Sequence, residues 1–277
     1  MSENLTMRFL ILLLFLPLKG ITQLSFETIK MSKSVEETSG LEILGNYLIT
    51  HNDSGDKPKL YIINQEGEKI MEIELNQLKN KDWEDIAADS ENYYIADTGN
   101  NYGTRENLKI YILDKDFFLQ GKISIRYQSQ TTFSRELKNK YDAEGLAVVG
   151  DHLVLFSKNR KTLKSEIYSF PKVAGNYVLK PKAVIDSDAL ITAADYYNDK
   201  DLIALTGYNF QGDQFFYTIR NFVKNGYDKI KLKRYLIPIK PAQIEAVKII
   251  DEDEFWISSE SEDNGKPRLF RFKLKPD

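Results

Sequence analysis

Glu84, Glu144 and Glu245 each stand near the head of a short apolar run: WEDIAAD, AEGLAVV and IEAVKII. A carboxylate is costly in such a setting unless something pairs with it. Aligning the three runs brings in two more, TSGLEIL and AADYY, with Ser39 and Ala194 at the same second position. The successive spacings are 45, 60, 50 and 51 residues. If these five runs converge in space, three carboxylates meet, and their mutual repulsion raises their pKa values. No lysine or arginine occupies the aligned register, so a hard cation is the expected counter-charge. Calcium suits a flexible ring of carboxylate, carbonyl and water oxygens, whereas magnesium prefers a tighter octahedron. Zinc is disfavoured by the absence of cysteine and by a supply of only two histidines, His51 and His152. The expected calcium ligands are therefore Ser39, Glu84, Glu144 and Glu245. The alternative is that the acids accept hydrogen bonds from neighbouring strand N–H groups.

The elements that would position these residues repeat along the chain. Each run is followed by a tight polar turn and a second apolar strand. A third strand comes next: KLYIIN, LKIYILD, EIYSFPK, FFYTIRN or RLFRFKL. In four of the units a fourth follows: KIMEIEL, KISIRYQ, YVLKPKAVI and KIKLKRYLIP. Four strands at a period near fifty are a propeller signature. The last unit lacks its fourth strand, and one strand, Leu24–Ser32, is left over at the other end of the chain. That strand is expected to complete the last blade and remove two exposed sheet edges. The fold expected is all-β: a five-bladed β-propeller with four strands per blade. A six-bladed propeller is the alternative, but the 60-residue spacing holds extra loop rather than four more strands. A β-sandwich leaves the five aligned units unexplained.

In a propeller the innermost strands line the central channel, which places the aligned acids on the axis. Asp85 and Asp195, one residue further on, are expected to tie adjacent blades together. Asp82 and Asp142 are expected to form turns, and Trp83 to pack between blades. The second strands end on one rim, a place where loops on a rigid scaffold commonly carry sites. The expected rim set is Asn52, Asp97, Asn100, Lys158, Arg160, Tyr208 and Glu260, binding a small anionic molecule. His51 or Asp53 could act as a general base on metal-activated water. Stretches such as NDSG and TGNN also form turns on their own.

Composition narrows the class. The net charge is −3 and lysines are interspersed with acids, so no basic stripe points to nucleic acid. Residues 7–23, MRFLILLLFLPLKGITQ, read as a secretory signal, a basic residue followed by an apolar run. Its apolar run is short for a membrane span. The expected organisation is a signal peptide over 1–23 and a single propeller over 24–277, exported to the periplasm or the extracellular space. After cleavage no stable membrane insertion is expected, and the protein is expected to be a monomer. An uncleaved N-terminal anchor is the alternative. Without cysteines the exported domain must rely on its own core, which a chain of this length can supply.

The set Ser39, Glu84, Glu144, Ala194 and Glu245 resembles that of the soluble calcium-activated nucleotidases, the apyrase family of five-bladed propellers. That resemblance implies one channel calcium held by Ser, Glu, Glu, Ser and Glu from successive inner strands, with Ala194 departing at the fourth. The strings SGLEILGNYLITHNDSG, DWEDIA, IADTGNN, YDAEGLAV and IEAV are similar to segments of uncharacterised exported bacterial propeller proteins. Lactonase-type and phytase-type propellers also ring a channel calcium with acids. Two functions are therefore expected as alternatives. One is an exported binding propeller with calcium in its channel; the other is a calcium-dependent hydrolase of a phosphoester, a phosphoanhydride or a lactone.

Overall fold

A computed structural model describes residues 26–239, 243–261 and 265–274. The signal segment expected over residues 1–23 lies outside them. The strands are β1 (Phe26–Lys30), β2 (Thr38–Leu44), β3 (Tyr47–Asn52), β4 (Lys59–Ile63), β5 (Lys69–Glu74), β6 (Asp85–Ala88), β7 (Asn92–Asp97), β8 (Lys109–Asp114), β9 (Leu119–Tyr127), β10 (Ala143–Val149) and β11 (His152–Ser157). They continue as β12 (Ser165–Pro171), β13 (Gly175–Leu179), β14 (Ala183–Ile185), β15 (Leu190–Tyr197), β16 (Leu202–Tyr208), β17 (Gln214–Arg220), β18 (Leu232–Ile237), β19 (Ile244–Ile249), β20 (Glu254–Ser259) and β21 (Arg268–Lys273). A single helical turn, α1 (Phe222–Asn225), follows β17.

Five sheets form five blades of a β-propeller, with β2, β6, β10, β15 and β19 innermost. β1 pairs antiparallel with β21, Phe26 opposite Phe272 and Lys30 opposite Arg268, so the first described strand closes the ring as the outer strand of the last blade. The apolar side chains gather in five clusters, one between each pair of neighbouring blades. A propeller strand is thus buried on both faces, which is why the runs read as continuously apolar rather than alternating. Trp83 is fully buried between the first two blades, beside Ile49, Leu60 and Tyr93.

One blade departs from the expected pattern. YVLKPKAVI is not a single outer strand. Only β14 pairs with β12, while β13 crosses to the preceding blade and runs parallel to β9. Pro181 stands between the two pieces. It cannot donate to a ladder, so pairing ends there and the chain is free to serve two sheets.

The inner strands carry the feature that matters for the axis. The pairing of β10 with β11 slips between Ala143 and Gly145, and that of β19 with β20 between Ile244 and Ala246. The bulged residues are Glu144 and Glu245. Glu84 behaves alike: its N–H donates to Ala96 O at 2.9 Å, although Ala96 is already opposite Asp85. A bulge re-aims a side chain out of the pleat. In the blades of Ser39 and Ala194 the slip lies elsewhere, between Ser39 and Glu42 and between Ile191 and Ala193.

Candidate functional site

The three bulged glutamates line a small cavity at the channel mouth, with Ser39, Asp53, Asn101, Lys158, Arg160, Tyr208, Gln243 and Glu260. Its volume is about 130 Å³. Two tiers build it. The lower tier is the inner-strand register. The upper tier is the residue just after each second strand: Asp53, Lys158 and Glu260. The tiers are tied by equivalent backbone bonds, from Asp53 N to Glu37 O, Lys158 N to Asp142 O and Glu260 N to Gln243 O. In the second blade the equivalent bond runs from Gly99 N to Asp82 O. A Cβ at Gly99 would collide with the carboxylates of Glu84 and Asp82, so glycine here lets the acids pack against the loop.

The counter-charge inside the ring comes from Lys158. Although expected on the rim, its side chain is almost fully buried, and Nζ lies 2.6 Å from Glu144 Oε2 and 3.9 Å from Glu245 Oε1. The approach to Glu144 is an ion pair. The Tyr208 ring flanks the same ammonium at 5.0 Å. No base stands in the aligned register, yet one reaches it in space, because a long side chain from just past the second strand turns back to the axis. Arg160 pairs with Asp142, whose Oδ1 also accepts the Asn100 N–H at 2.6 Å.

Carboxylates nevertheless outnumber the bases. The lining holds Asp53, Glu84, Glu144, Glu245 and Glu260 against Lys158 and Arg160, and Asp82 and Asp142 stand directly behind it. Glu84, Asp142 and Glu144 each place an oxygen within 4.8 Å of the others. Among the described residues no hydrogen bond reaches the carboxylate oxygens of Glu84. Burial, then the charges of Glu144, Asp82 and Asp142, pushes the Glu84 carboxyl well above its usual range. Burial also raises Glu245, against the pull of Lys158. Glu144 rises to about 7 through burial, again opposed by Lys158. Burial lifts Asp53 and Asp82 to about 6 and Glu260 to about 8. Burial works against the charge on Lys158, but Glu144 and Glu245 outweigh it and hold its pKa raised.

The structure brings together Ser39, Asp53, Glu84, Glu144, Lys158, Arg160, Tyr208, Glu245 and Glu260, and leaves four expected site residues outside the lining. His51 is fully buried, edge-on to Trp83 with ring centroids 5.5 Å apart, in the space between blades rather than at the mouth. Burial lowers its pKa to about 4, so the ring is neutral near pH 7. Asn52 donates to Ser34 O and to Asp56, knitting the loop. Asp97 is paired with Arg105 at 2.6 Å and with Lys109 at 3.2 Å. Asn100 donates to Tyr141 O and accepts from Arg105 N. Asp82, Asp142, Asn101 and Gln243 were not expected in the site. Three of them share one signal: Asp82, Asp142 and Gln243 each stand two residues before an aligned glutamate.

Below the mouth the inner strands are tied to one another across blades. Asp85 Oδ2 accepts the N–H groups of Leu146 at 2.8 Å and Ala194 at 3.1 Å, from two other blades. Its Oδ1 accepts the N–H of Ile86. Asp195 likewise accepts the Ile249 N–H at 2.8 Å. Both acids tie blades together, as their register implied. Gly40 makes room for Asp85: its φ is +66°, and a Cβ there would approach Ile86 N to 2.6 Å.

No family model matches the chain, and no curated protein is similar to it in sequence. Its fold is shared with a solved structure. The PQQ-bound aldose sugar dehydrogenase of Streptomyces coelicolor is 10% identical, with 92% of this chain and 99% of that one covered and a TM-score of 0.52. A protein of unknown function from Bacteroides caccae is 8% identical over 86% of this chain and 77% of that one, with a TM-score of 0.47. A protein from Bacteroides fragilis described as exported is 11% identical over 93% and 97%, with a TM-score of 0.43. Among the described residues no helix is long and apolar enough to cross a membrane. At this level of identity the dehydrogenase shares the fold alone, and the five sheets of this chain make it a five-bladed β-propeller.

Proposed function

We propose that the protein is an exported propeller whose channel mouth binds a divalent cation, calcium. The observation that carries the reading is the buried trio Glu84, Asp142 and Glu144, with oxygens within 4.8 Å of one another. Oxygens around one calcium at the usual 2.3–2.6 Å stand at most about 5 Å apart, so the trio fits one ion. Glu84 is the residue that most needs a partner, since its charge is opposed by burial and by three neighbouring acids. Ser39, Asp82 and Asn101 border the same space and add oxygen donors. The all-oxygen set suits calcium over zinc, for His51 faces away from it. Export rests on the N-terminal pattern of residues 7–23.

Size limits what else enters. Drug-sized ligands occupy roughly 300–1,000 Å³, and about 130 Å³ holds an ion with a few waters or the tip of a larger molecule. A whole nucleotide does not fit inside. Lys158 and Arg160 are engaged by Glu144 and Asp142. A small anionic ligand would therefore be held mainly by the cation, with its anionic group at the mouth. A second reading, hydrolysis of a phosphoester, a phosphoanhydride or a lactone, draws on Asp53. Its carboxyl lines the cavity with a pKa of about 6, suited to taking a proton near neutral pH. A bound cation would supply Lewis acidity to such a reaction.

Calorimetric titration with calcium after removal of metal by chelation tests the reading. One site per chain is expected, weakened at least tenfold in Glu84→Gln. Absence of binding heat, together with a melting temperature indifferent to chelator, would overturn it.

A further inference from the structure

A second, larger cavity of about 470 Å³ lies on the opposite face, between the third and fourth blades. It borders the turn from β10 to β11 and the turn from β15 to β16. Its walls include Tyr196, Phe222 and Tyr227, and its polar edge carries His152, Lys182 and Ser169. Among the described residues no aspartate or glutamate lines it, in a chain whose net charge is −3 and whose channel mouth is crowded with acids. No ion pair engages His152 or Lys182 among the described residues.

The outer wall is the connection between the third and fourth strands of the fourth blade. Between β17 and β18 the chain makes α1 and a further turn, where the first and second blades pass more directly to the fourth strand. Asp201 holds this connection in place. Its carboxylate accepts the N–H groups of Val223 at 2.8 Å and Lys224 at 3.0 Å. The Tyr196 hydroxyl donates to the same carboxylate at 3.2 Å, which orients that ring. Phe222 and Tyr227 pack edge to face with centroids 5.5 Å apart. The aromatic walls are thus set before any ligand arrives, and a preformed site spares the cost of ordering it.

We propose that this cavity binds a small organic anion with a flat apolar body, of the aryl carboxylate class. The aromatic walls take the ring, and Lys182 and His152 at the edge take the carboxylate. The volume falls within the range of small-molecule sites. The absence of lining acids selects against amines, which the acidic channel mouth would favour instead. This site is independent of the channel cation.

The test uses the full mature chain and three probes of one shape: 2-naphthoate, 2-naphthylmethanol and 2-naphthylmethylamine. Calorimetry gives affinity, and NMR chemical-shift changes give location. Naphthoate is expected to bind most tightly, with shifts at Tyr196, Phe222 and Tyr227. Lys182→Glu, an exposed substitution that the fold tolerates, should weaken naphthoate about tenfold or more while leaving naphthylmethanol within about twofold. Failure of naphthoate to bind overturns the proposal. So do equal affinity for the amine, shifts mapping elsewhere, or indifference of naphthoate to Lys182→Glu.

Discussion

The two ends of the propeller axis solve the same problem in opposite ways. Toward the closed end, Lys248 Nζ lies 2.7 Å from Glu42 Oε1 and 3.1 Å from Asp195 Oδ1. Backbone N–H groups of Ile43 and Ile249 complete those two carboxylates. Every charge in that group has a partner. At the mouth, seven acids gather around two bases, the cavity stays open, and Glu84 is left without a hydrogen bond among the described residues. A closed network of buried charges fixes how blades meet. An open one with surplus carboxylates is poised for a ligand of opposite charge.

The largest effect should come from breaking the closed end. Lys248→Met strands two buried carboxylates, and removing one partner of such a group costs about 3–5 kcal/mol. Lys158→Met at the mouth leaves Glu144 and Glu245 beside a cavity that water or a cation can enter. It should cost about 1–2 kcal/mol, and less with calcium present. Urea unfolding of both variants makes the comparison. Equal losses in saturating calcium would mean that the mouth is as purely structural as the closed end.

Calcium itself should act only on the open end. A ligand at a hundredfold excess over its dissociation constant stabilises by about 2.7 kcal/mol, equivalent to a rise of roughly 5–10 °C in melting temperature for a domain of this size. Glu84→Gln and Glu144→Gln should remove most of that rise, whereas Lys248→Met should lower the starting point and keep it. A calcium response that survives both glutamine variants would move the ion away from the trio.

Much of this division can be read from the chain before any coordinates. Five aligned runs with continuous apolar strands announce blades, because both faces of a propeller strand are buried. The leftover strand at the beginning and the missing one at the end announce the closure. The second-position register picks out Glu84, Glu144 and Glu245, since the bulge that turns them inward recurs with the repeat. What escapes is set by reach and by pairing across blades. Lys158 stands just past a second strand, and nothing local tells that its four-carbon stem runs to the axis. His51 stands in a polar-looking stretch, yet its ring turns toward Trp83 between blades. β13 pairs parallel with a strand of another blade, a choice no local periodicity encodes.

Acidity should separate the ends further. The mouth carboxyls have raised pKa values: Glu144 about 7, Glu260 about 8, and Asp53 and Asp82 about 6. The folded state therefore holds protons that the unfolded chain releases near pH 4–4.5. Their contribution to stability is full below that range and is lost as pH rises toward 8. In chelator, the melting temperature should fall between about pH 5 and 8. Calcium bound as proposed would replace protons at the same oxygens, so its affinity should rise over the same interval and flatten the fall. A chelated protein whose melting temperature rises steadily from pH 5 to 8 would show that the mouth acids titrate normally.

The smallest effect concerns Ser39, which lines the cavity and was expected to be a calcium ligand. Its hydroxyl donates to Glu84 O at 2.5 Å and so links the first blade to the second. The oxygen retains lone pairs, but its orientation is governed by that donation. Ser39→Ala should therefore cost about 1 kcal/mol of stability, the net worth of one hydrogen bond. It should change calcium affinity by less than about threefold, because in the proposed site the carboxylates would carry the charge that holds the ion. If calcium affinity instead falls tenfold while stability is unchanged, the hydroxyl is a ligand and the ion sits lower in the channel, nearer the first blade. That result would move the boundary between the open and closed ends down by one register, from the level of Glu84 to the level where Asp85 gathers its backbone N–H groups.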